Sequence, residues 1–502
     1  MVRPEVQLAF SVVAAVGRSA FLARSEGRIA LAATLVATVL LGGLALLRHW
    51  TFHSTASDLA VFDQVLWNTV HGRFMESTLS LARCEPHSFF GDHFSPALLL
   101  ILPLYVLVPR PETLIVVQTI ALALGVWPIY LIARRFLPTS GQRLVWVAAY
   151  LLSAPLSFIA LFDFHEITLA VLPLGFALYF LATRRTAGMI LCLLAALLAK
   201  EEVAVIGVGF GVALALQRRW WPSAIVIVGS IVAFVVTLKV VIPAFAAGAP
   251  YQYLGRYASL GRDEGEIART LLLDPLRALA VLGKGEVGSK VVFVLSLFGP
   301  GLGLALRSKW ALVTSVPTLG YLMLSDYGGF HTLHNQYGAP LIPLALGASI
   351  VGVAGLSERW RRRVTRGVVV STLFFAFAFG GLPLSLNFAD AFLRGEPDRA
   401  PSGQPILARE PRYEPFLAAV RAIPPDAAVS SRDFLTTQIP QRRFNYNLLG
   451  LDVCDAHYVI LDYAVPSVNR DMAKHLAEVE AVKALGFDEI ATGEGLSLLR
   501  RR

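Results

Sequence analysis

The chain has 502 residues, of which 55% are hydrophobic and only 16% are charged. That is more apolar side chain than a water-soluble chain of this size hides, so most of it is expected in lipid. Lys and Arg (44) outnumber Asp and Glu (35), but the basic residues punctuate apolar segments instead of lining a polar face, which excludes nucleic acid as their partner.

In chain order, a short apolar stretch (6–16) precedes Arg18, Arg24 and Arg28 with no small-residue cleavage site, unlike a cleaved signal. A helix needs about 20 apolar residues to cross the hydrocarbon. Spans are expected near 29–48, 113–133, 144–161, 168–183, 187–199, 203–217, 222–244, 290–306, 310–325, 339–356 and 368–386. Basic clusters fall at every second boundary: Arg134, Arg135 and Arg143, then Arg184 and Arg185, Arg218 and Arg219, Arg307 and Lys309, and the arginines of SERWRRRVTR. Basic loops stay cytoplasmic, so the N-terminus is expected inside, and an odd number of spans puts the C-terminus outside. The expected protein is an α-helical polytopic membrane domain of about eleven spans over 1–388, located in the inner or plasma membrane.

The alternate loops hold nearly everything else polar. They form a first outer loop (49–112), the turn FDFHE, a large outer loop (247–289) and GGFHTLHNQYG. Within the first, PALLLILPLYVLV (96–108) is short and broken by proline, and is expected to lie at the outer interface or re-enter it. From 389 a Pro- and Arg-containing linker (389–415) leads to a segment of globular composition. There YVILDY reads as a strand, VNRDMAKHLAEVEAVKALG as an amphipathic helix and FDEIATGEGLSLLRR as a hairpin. Residues 389–502 are therefore expected to form a small extracytoplasmic α/β domain. Cys84 and Cys454 would both face outside. We read them as two free thiols, with a disulfide as the alternative, and no cysteine spacing suggests zinc or haem.

The outer loops carry the candidate chemistry. In SDLAVFDQVLW a helix would put Leu59, Phe62 and Leu66 on one apolar stripe, with Gln64, Asn68 and His71 facing away. Asp63 interrupts the stripe, and Asp58 either caps the helix or faces a cavity, as acids at membrane depth usually do. CEPHSFFGDHFSP offers His87, Asp92 and His93 without a standard metal spacing. Asp163, His165 and Glu166 form an external turn or a polar site facing Asp58. Lys200 in LLAKEEVAV meets either a phosphate or the neighbouring glutamates. His331, His334 and Tyr337 hold an anionic head group or belong to an interfacial belt. Arg256 and Arg262 are phosphate candidates set against solvated loop charges.

DLAVFDQVLW, GDHFSPALLLILPLYVL, FDFHE, AKEE and HNQYGAPLIPLA resemble the DUF2079 family of uncharacterised membrane proteins over most of the chain. An Asp just after the first span, followed by a short apolar helix, resembles the wider GT-C superfamily of membrane glycosyltransferases, of which the protein O-mannosyltransferases and aminoarabinose transferases are the nearest in type. That resemblance implies a sugar moved with inversion from a polyprenyl-phosphate donor to an extracytoplasmic glycan, lipid or protein acceptor, with Asp58 as the base. The acidic pair of those relatives is incomplete, because Leu59 follows Asp58 and Asp63 is the substitute acid. His93 falls near a lysine of the relatives, and His334 and Tyr337 fall near an element that holds the donor phosphate. A divalent metal is an open expectation, with Asp63, His93 and His165 as its candidate ligands. The competing readings are a transporter or flippase using outer carboxylates, and a non-catalytic membrane sensor or assembly protein. The spans show no evident inverted repeat, which speaks against the first.

Overall fold

A computed structural model describes residues 25–80, 84–246, 251–394, 405–408, 411–448, 452–463 and 471–502. The N-terminal apolar stretch and residues 395–404 and 409–410 of the expected linker lie outside these residues. Among the described residues, four helices are long and apolar enough to cross a bilayer: Ser25–Trp50, Pro111–Phe136, Trp220–Phe245 and Gln336–Ala354. A fifth crossing is made if the pair Ser140–Leu151 and Ala154–Leu161, bent by 41°, counts as one. The break falls at Leu152 and Ser153, and Pro155 stands in the first turn of the second helix, where its missing N–H is tolerated. Glu166–Ala182, Thr186–Leu197, Val203–Leu216 and Val287–Phe298 are apolar but shorter, and helix Glu358–Phe379 opens with the arginine cluster. The expected span at 310–325 is broken into Lys309–Leu312 and Val316–Met323.

The membrane domain packs around Gln336–Ala354, whose window is 89% buried, with Leu341, Leu344 and Ile350 against Leu174, Leu178 and Ile132. At the end of the bundle where Ser25–Trp50 begins, Glu26 lies 3.0 Å from Arg143 and 3.9 Å from Arg134. Two arginines of the first basic cluster therefore meet the start of the first span.

The outer loops are more structured than a loop reading suggests. Pro96–Leu100 and Leu102–Leu107 form two short helical turns. They bury Leu98, Ile101 and Tyr105 and expose Leu100, Leu104 and Leu107, the two-sidedness of an interfacial element. The large outer loop contains Gln252–Tyr257, Glu264–Leu273 and Pro275–Leu282, all helical.

The C-terminal part forms a five-stranded mixed sheet. Two short strands of the first outer loop, β1 (Glu76–Ser77) and β2 (His87–Ser88), precede it. Its own strands are β3 (Val429–Ser431), β4 (Asn445–Asn447), β5 (Tyr458–Asp462), β6 (Phe487–Gly493) and β7 (Leu496–Arg501), in spatial order β4-β3-β5-β7-β6. β3 runs parallel to β4 and β5, and β7 antiparallel to β5 and β6. The β6–β7 turn places Glu494 (φ 47) and Gly495 (φ 81) in the left-handed region, as a two-residue hairpin turn requires. Helix Met472–Ala484 starts on Asp471, whose carboxylate accepts from the N–H groups of Ala473 and Lys474.

This sheet is docked on the first outer loop. Gln64 Nε2 donates to the carbonyls of Arg442 (3.3 Å) and Arg443 (3.0 Å). Arg443 pairs with Glu76 at 3.0 Å, and the Phe52 and Tyr413 rings stack at 4.3 Å. Cys84 and Cys454, 370 residues apart in sequence, are joined by a disulfide with Cα atoms 5.3 Å apart. The expectation of two free thiols is thereby corrected: only docking of the sheet brings the two sulfurs together. Cys192 is the free cysteine among the described residues.

Candidate functional site

The stretch SDLAVFDQVLW forms a widened turn, Ala56–Ala60, that runs into helix Val61–Val70. Thr55, not Asp58, holds the N-cap position, and Asp58 Oδ2 instead accepts from Thr55 Oγ1 at 3.2 Å. The Asp58 side chain keeps 25% of its exposure and opens into a cavity of about 370 Å³. Its walls include Asp92 and His93, His165 and Glu166, Lys200, Tyr253 and Arg256, and Gln336 and Tyr337. Asn447, the last residue of edge strand β4, closes it from the C-terminal sheet.

The FDFHE turn is fixed from beneath. Asp163 lies 2.6 Å from Arg48 Nη1 and also accepts from the backbone and side chain of Thr55, each at 2.8 Å. Burial raises the Asp163 pKa, but Arg48 and these hydrogen bonds bring it below the ordinary value. Gln118, buried in the second span, accepts from the His165 N–H at 2.8 Å and donates to the carbonyls of Ile159, Phe162 and Asp163. His165 Nε2 then meets Asp58 Oδ1 at 3.0 Å while Nδ1 sits 3.0 Å from the Asp163 carbonyl. Both partners are acceptors, an arrangement that favours a proton on each ring nitrogen. Burial lowers the His165 pKa, but the Asp58 charge and hydrogen bond raise it above the ordinary value.

The LLAKEEVAV segment is a buried turn between two helices, with Lys200 and Glu201 only 4% and 1% exposed. Lys200 Nζ lies 2.9 Å from Glu166 Oε1. Glu201 accepts from His93 Nδ1 (2.8 Å), the Phe94 N–H (3.1 Å) and Tyr251 (3.1 Å). Burial works against its charge, but His93 prevails and brings its pKa down to about 2. The His93 ring stacks on Tyr253 at 4.7 Å, and Asp92 accepts from Tyr253 and Gln252. Gly91, just before this pair, packs so close to Phe245 that a Cβ would stand 2.9 Å from its backbone. That contact sets the GDHF loop against the end of the span Trp220–Phe245.

Arg256 is held differently. Its guanidinium lies over the rings of Tyr253 (4.2 Å), Tyr327 (4.6 Å) and Phe330 (5.1 Å). Among the described residues no carboxylate pairs with it. Stacking fixes the plane of the cation and leaves its N–H groups for another acceptor.

Asp58, His93, His165, Glu166, Lys200, Arg256 and Tyr337 thus share one cavity, with Asp163 directly beneath it. The other candidates do not line it. Asp63 is fully buried and accepts from Tyr105 at 2.7 Å. His331 Nε2 faces the Leu322 carbonyl at 2.9 Å, and the His334 ring packs on Phe158 at 4.3 Å. The metal candidates Asp63, His93 and His165 have three separate partners: Tyr105, Glu201 and Asp58. Among the described residues, the one group of three His, Cys, Asp or Glu donors within reach of a single ion is Cys84, Asp452 and Cys454. Two of these form the disulfide, so among the described residues no group of three such donors is free to hold an ion. Sequence reasoning missed Arg48 and Gln118, although a cation at the outer end of the first span and an amide inside the second are both readable signals.

Residues 48–498 match the family described as "Predicted membrane protein (DUF2079)", and the chain belongs to that family. Its fold is similar to the crystal structure of ArnT from Cupriavidus metallidurans bound to undecaprenyl phosphate. The TM-score is 0.54 at 13% identity, covering 95% of this chain and 98% of that one. ArnT in the apo state gives a TM-score of 0.51 at 14% identity, covering 92% and 97%. The archaeal oligosaccharyltransferase AglB from Archaeoglobus fulgidus, in complex with an inhibitory peptide and a dolichol-phosphate, gives 0.42 at 11% identity, covering 92% and 72%. No curated protein matches the chain in sequence.

Proposed function

We propose that this chain moves a sugar from a polyprenyl-phosphate donor to a hydroxyl-bearing extracytoplasmic acceptor, with inversion at the anomeric carbon and Asp58 as the base. The observation that carries this reading is the division of charge in the cavity. Glu166 is matched by Lys200, whereas Arg256 has no carboxylate partner among the described residues and Asp58 opens into the cavity. A phosphate takes the stacked cation, and a hydroxyl approaches the carboxylate.

In this reaction the acceptor hydroxyl gives its proton to Asp58 as its oxygen bonds to the anomeric carbon. The bond from that carbon to the donor phosphate oxygen breaks, and the electron pair leaves with polyprenyl phosphate. Arg256 and the Tyr337 hydroxyl offset the charge growing on that phosphate. The ring of His165 orients Asp58, and Asp163, Arg48 and Gln118 fix the turn that carries His165. A single base suffices, unlike the carboxylate pair of a hydrolase. The likeness in fold to ArnT, whose crystal structure holds undecaprenyl phosphate, supports a lipid-borne phosphate. The disulfide supports an outward-facing site and C-terminal sheet, because disulfides persist in oxidising compartments.

The test is transfer from defined polyprenyl-phosphate sugars, read as release of the free lipid phosphate. Asp58→Asn should lower release by orders of magnitude at unchanged folded yield, and Arg256→Ala should weaken it. Full activity in Asp58→Asn sinks the base assignment, full activity in both variants sinks this cavity as the transfer site, and no release by the wild type sinks the transferase.

A further inference from the structure

The large outer loop carries an apolar face that no part of the described chain covers. Leu272, Leu273, Leu276 and Leu279 are 79%, 74%, 77% and 61% exposed. They belong to the two helices Glu264–Leu273 and Pro275–Leu282, which are firmly built. Asp263 and Asp274 cap them by accepting from the N–H groups of Glu266 and Arg277. Their inner face is anchored: Thr270 donates to the Leu260 carbonyl at 2.7 Å, the Arg277 guanidinium to the Ser259 carbonyl at 3.0 Å, and Lys290 to the Val281 carbonyl at 3.2 Å. An ordered element therefore presents four large leucines outward, which in water would be a liability to aggregation.

We infer that the 264–282 helical hairpin is embedded in the outer leaflet of the bilayer, its leucines among the lipid chains and its charged residues at the head groups. The occupant is lipid because the patch continues lipid-facing surface at both ends. Behind it, Val287, Val291 and Leu295 stay exposed along the apolar helix Val287–Phe298. Ahead of it, Lys239 on the span Trp220–Phe245 pairs with Glu264 in the hairpin's first turn. That span exposes Val232, Val235, Val236 and Val240. Arg269, exposed on the first helix, flanks the leucines, where a long basic side chain reaches the interface from an embedded helix. The insertion stands whether or not the cavity transfers sugar. It also sets the depth of the Gln252–Tyr257 segment, because Ser259, on which Arg277 is anchored, lies two residues past that segment and is itself held by its N–H donating to Asp326 at 2.7 Å.

The test uses nitroxide labels at Leu272→Cys, Leu276→Cys and, as an independent site, Leu279→Cys, each with Cys192→Ser, in phosphatidylcholine–phosphatidylglycerol proteoliposomes. Leu485→Cys, 52% exposed on the C-terminal domain, is the reference. Collision accessibility to oxygen should exceed that to a water-soluble nickel chelate several-fold at the three hairpin sites, with the order reversed at 485. Nickel accessibility at the hairpin equal to that at 485 would place the leucines in water and overturn the inference. Dipolar broadening that disappears on dilution with unlabelled protein would assign the face to a second copy and overturn it equally.

Discussion

Asp63→Asn isolates the cost of an acid placed inside an apolar stripe. Asp63 is fully buried in the helix Val61–Val70; its Oδ1 accepts from Tyr105, and its Oδ2 meets no hydrogen-bond geometry among the described residues. Burial raises its pKa to about 7, with the Glu112 charge adding to the rise and the Tyr105 hydrogen bond opposing it. An unfolded Asp releases its proton near pH 3.9, so between about pH 4 and 7 the folded protein binds more protons than the unfolded chain. Stability therefore falls as pH rises through that window, by about 4 kcal/mol in total at about 1.4 kcal/mol per pK unit. Asn keeps an acceptor for Tyr105 but cannot ionise. Its amide leaves donors unmatched at a cost of about 1–3 kcal/mol, and protonated Asp63 faces a similar deficit at Oδ2. The variant should equal or trail the wild type at pH 5 and exceed it at pH 8. The check is the unfolding midpoint of the detergent-solubilised chain, followed by intrinsic tryptophan fluorescence across pH 5–8.5. Parallel pH dependences for the two proteins would refute a buried, titrating Asp63.

Lys200→Met should destabilise by about 3–5 kcal/mol because it strands the buried Glu166 carboxylate, and Lys200→Met/Glu166→Gln should recover most of the loss; equal midpoints for the single variant and the wild type would remove the ion pair from the account. Asp58→Asn should lower sugar transfer by about 10²–10⁴-fold, the range of a lost general base, measured as released polyprenyl phosphate at matched folded protein. Cys84→Ser should loosen the C-terminal sheet from the first outer loop by about 2–5 kcal/mol, seen as faster proteolysis within 409–502 that reductant reproduces in the wild type. His165→Asn should cut transfer without changing the yield of folded protein, because its role is to orient Asp58; transfer at the wild-type rate would remove His165 from the site.

The sequence by itself determined the membrane domain and where its chemistry gathers. Apolar runs of span length have few conformations open to them in lipid besides helices. The carboxylates, histidines and cations collected in the alternate loops include most of the groups that line the cavity. The strand at 458–462, the helix at 472–484 and the 487–501 hairpin were also legible, because each carries its own period and turn chemistry. Tertiary structure decided the rest. Gln64 and Asn68 were expected to face away from the apolar stripe, yet both are fully buried. Gln64 holds the carbonyls of the C-terminal sheet and Asn68 holds Arg73 and the Glu76 carbonyl, so helical period fixed which residues share a face but not what covers it. The same docking joins Cys84 to Cys454 and brings Asn447 to the cavity. It also explains why two aspartates five residues apart differ. A helical wheel separates their directions, but only the packing of Tyr105 over one and of the FDFHE turn beside the other makes Asp63 a buried partner and Asp58 an open carboxylate.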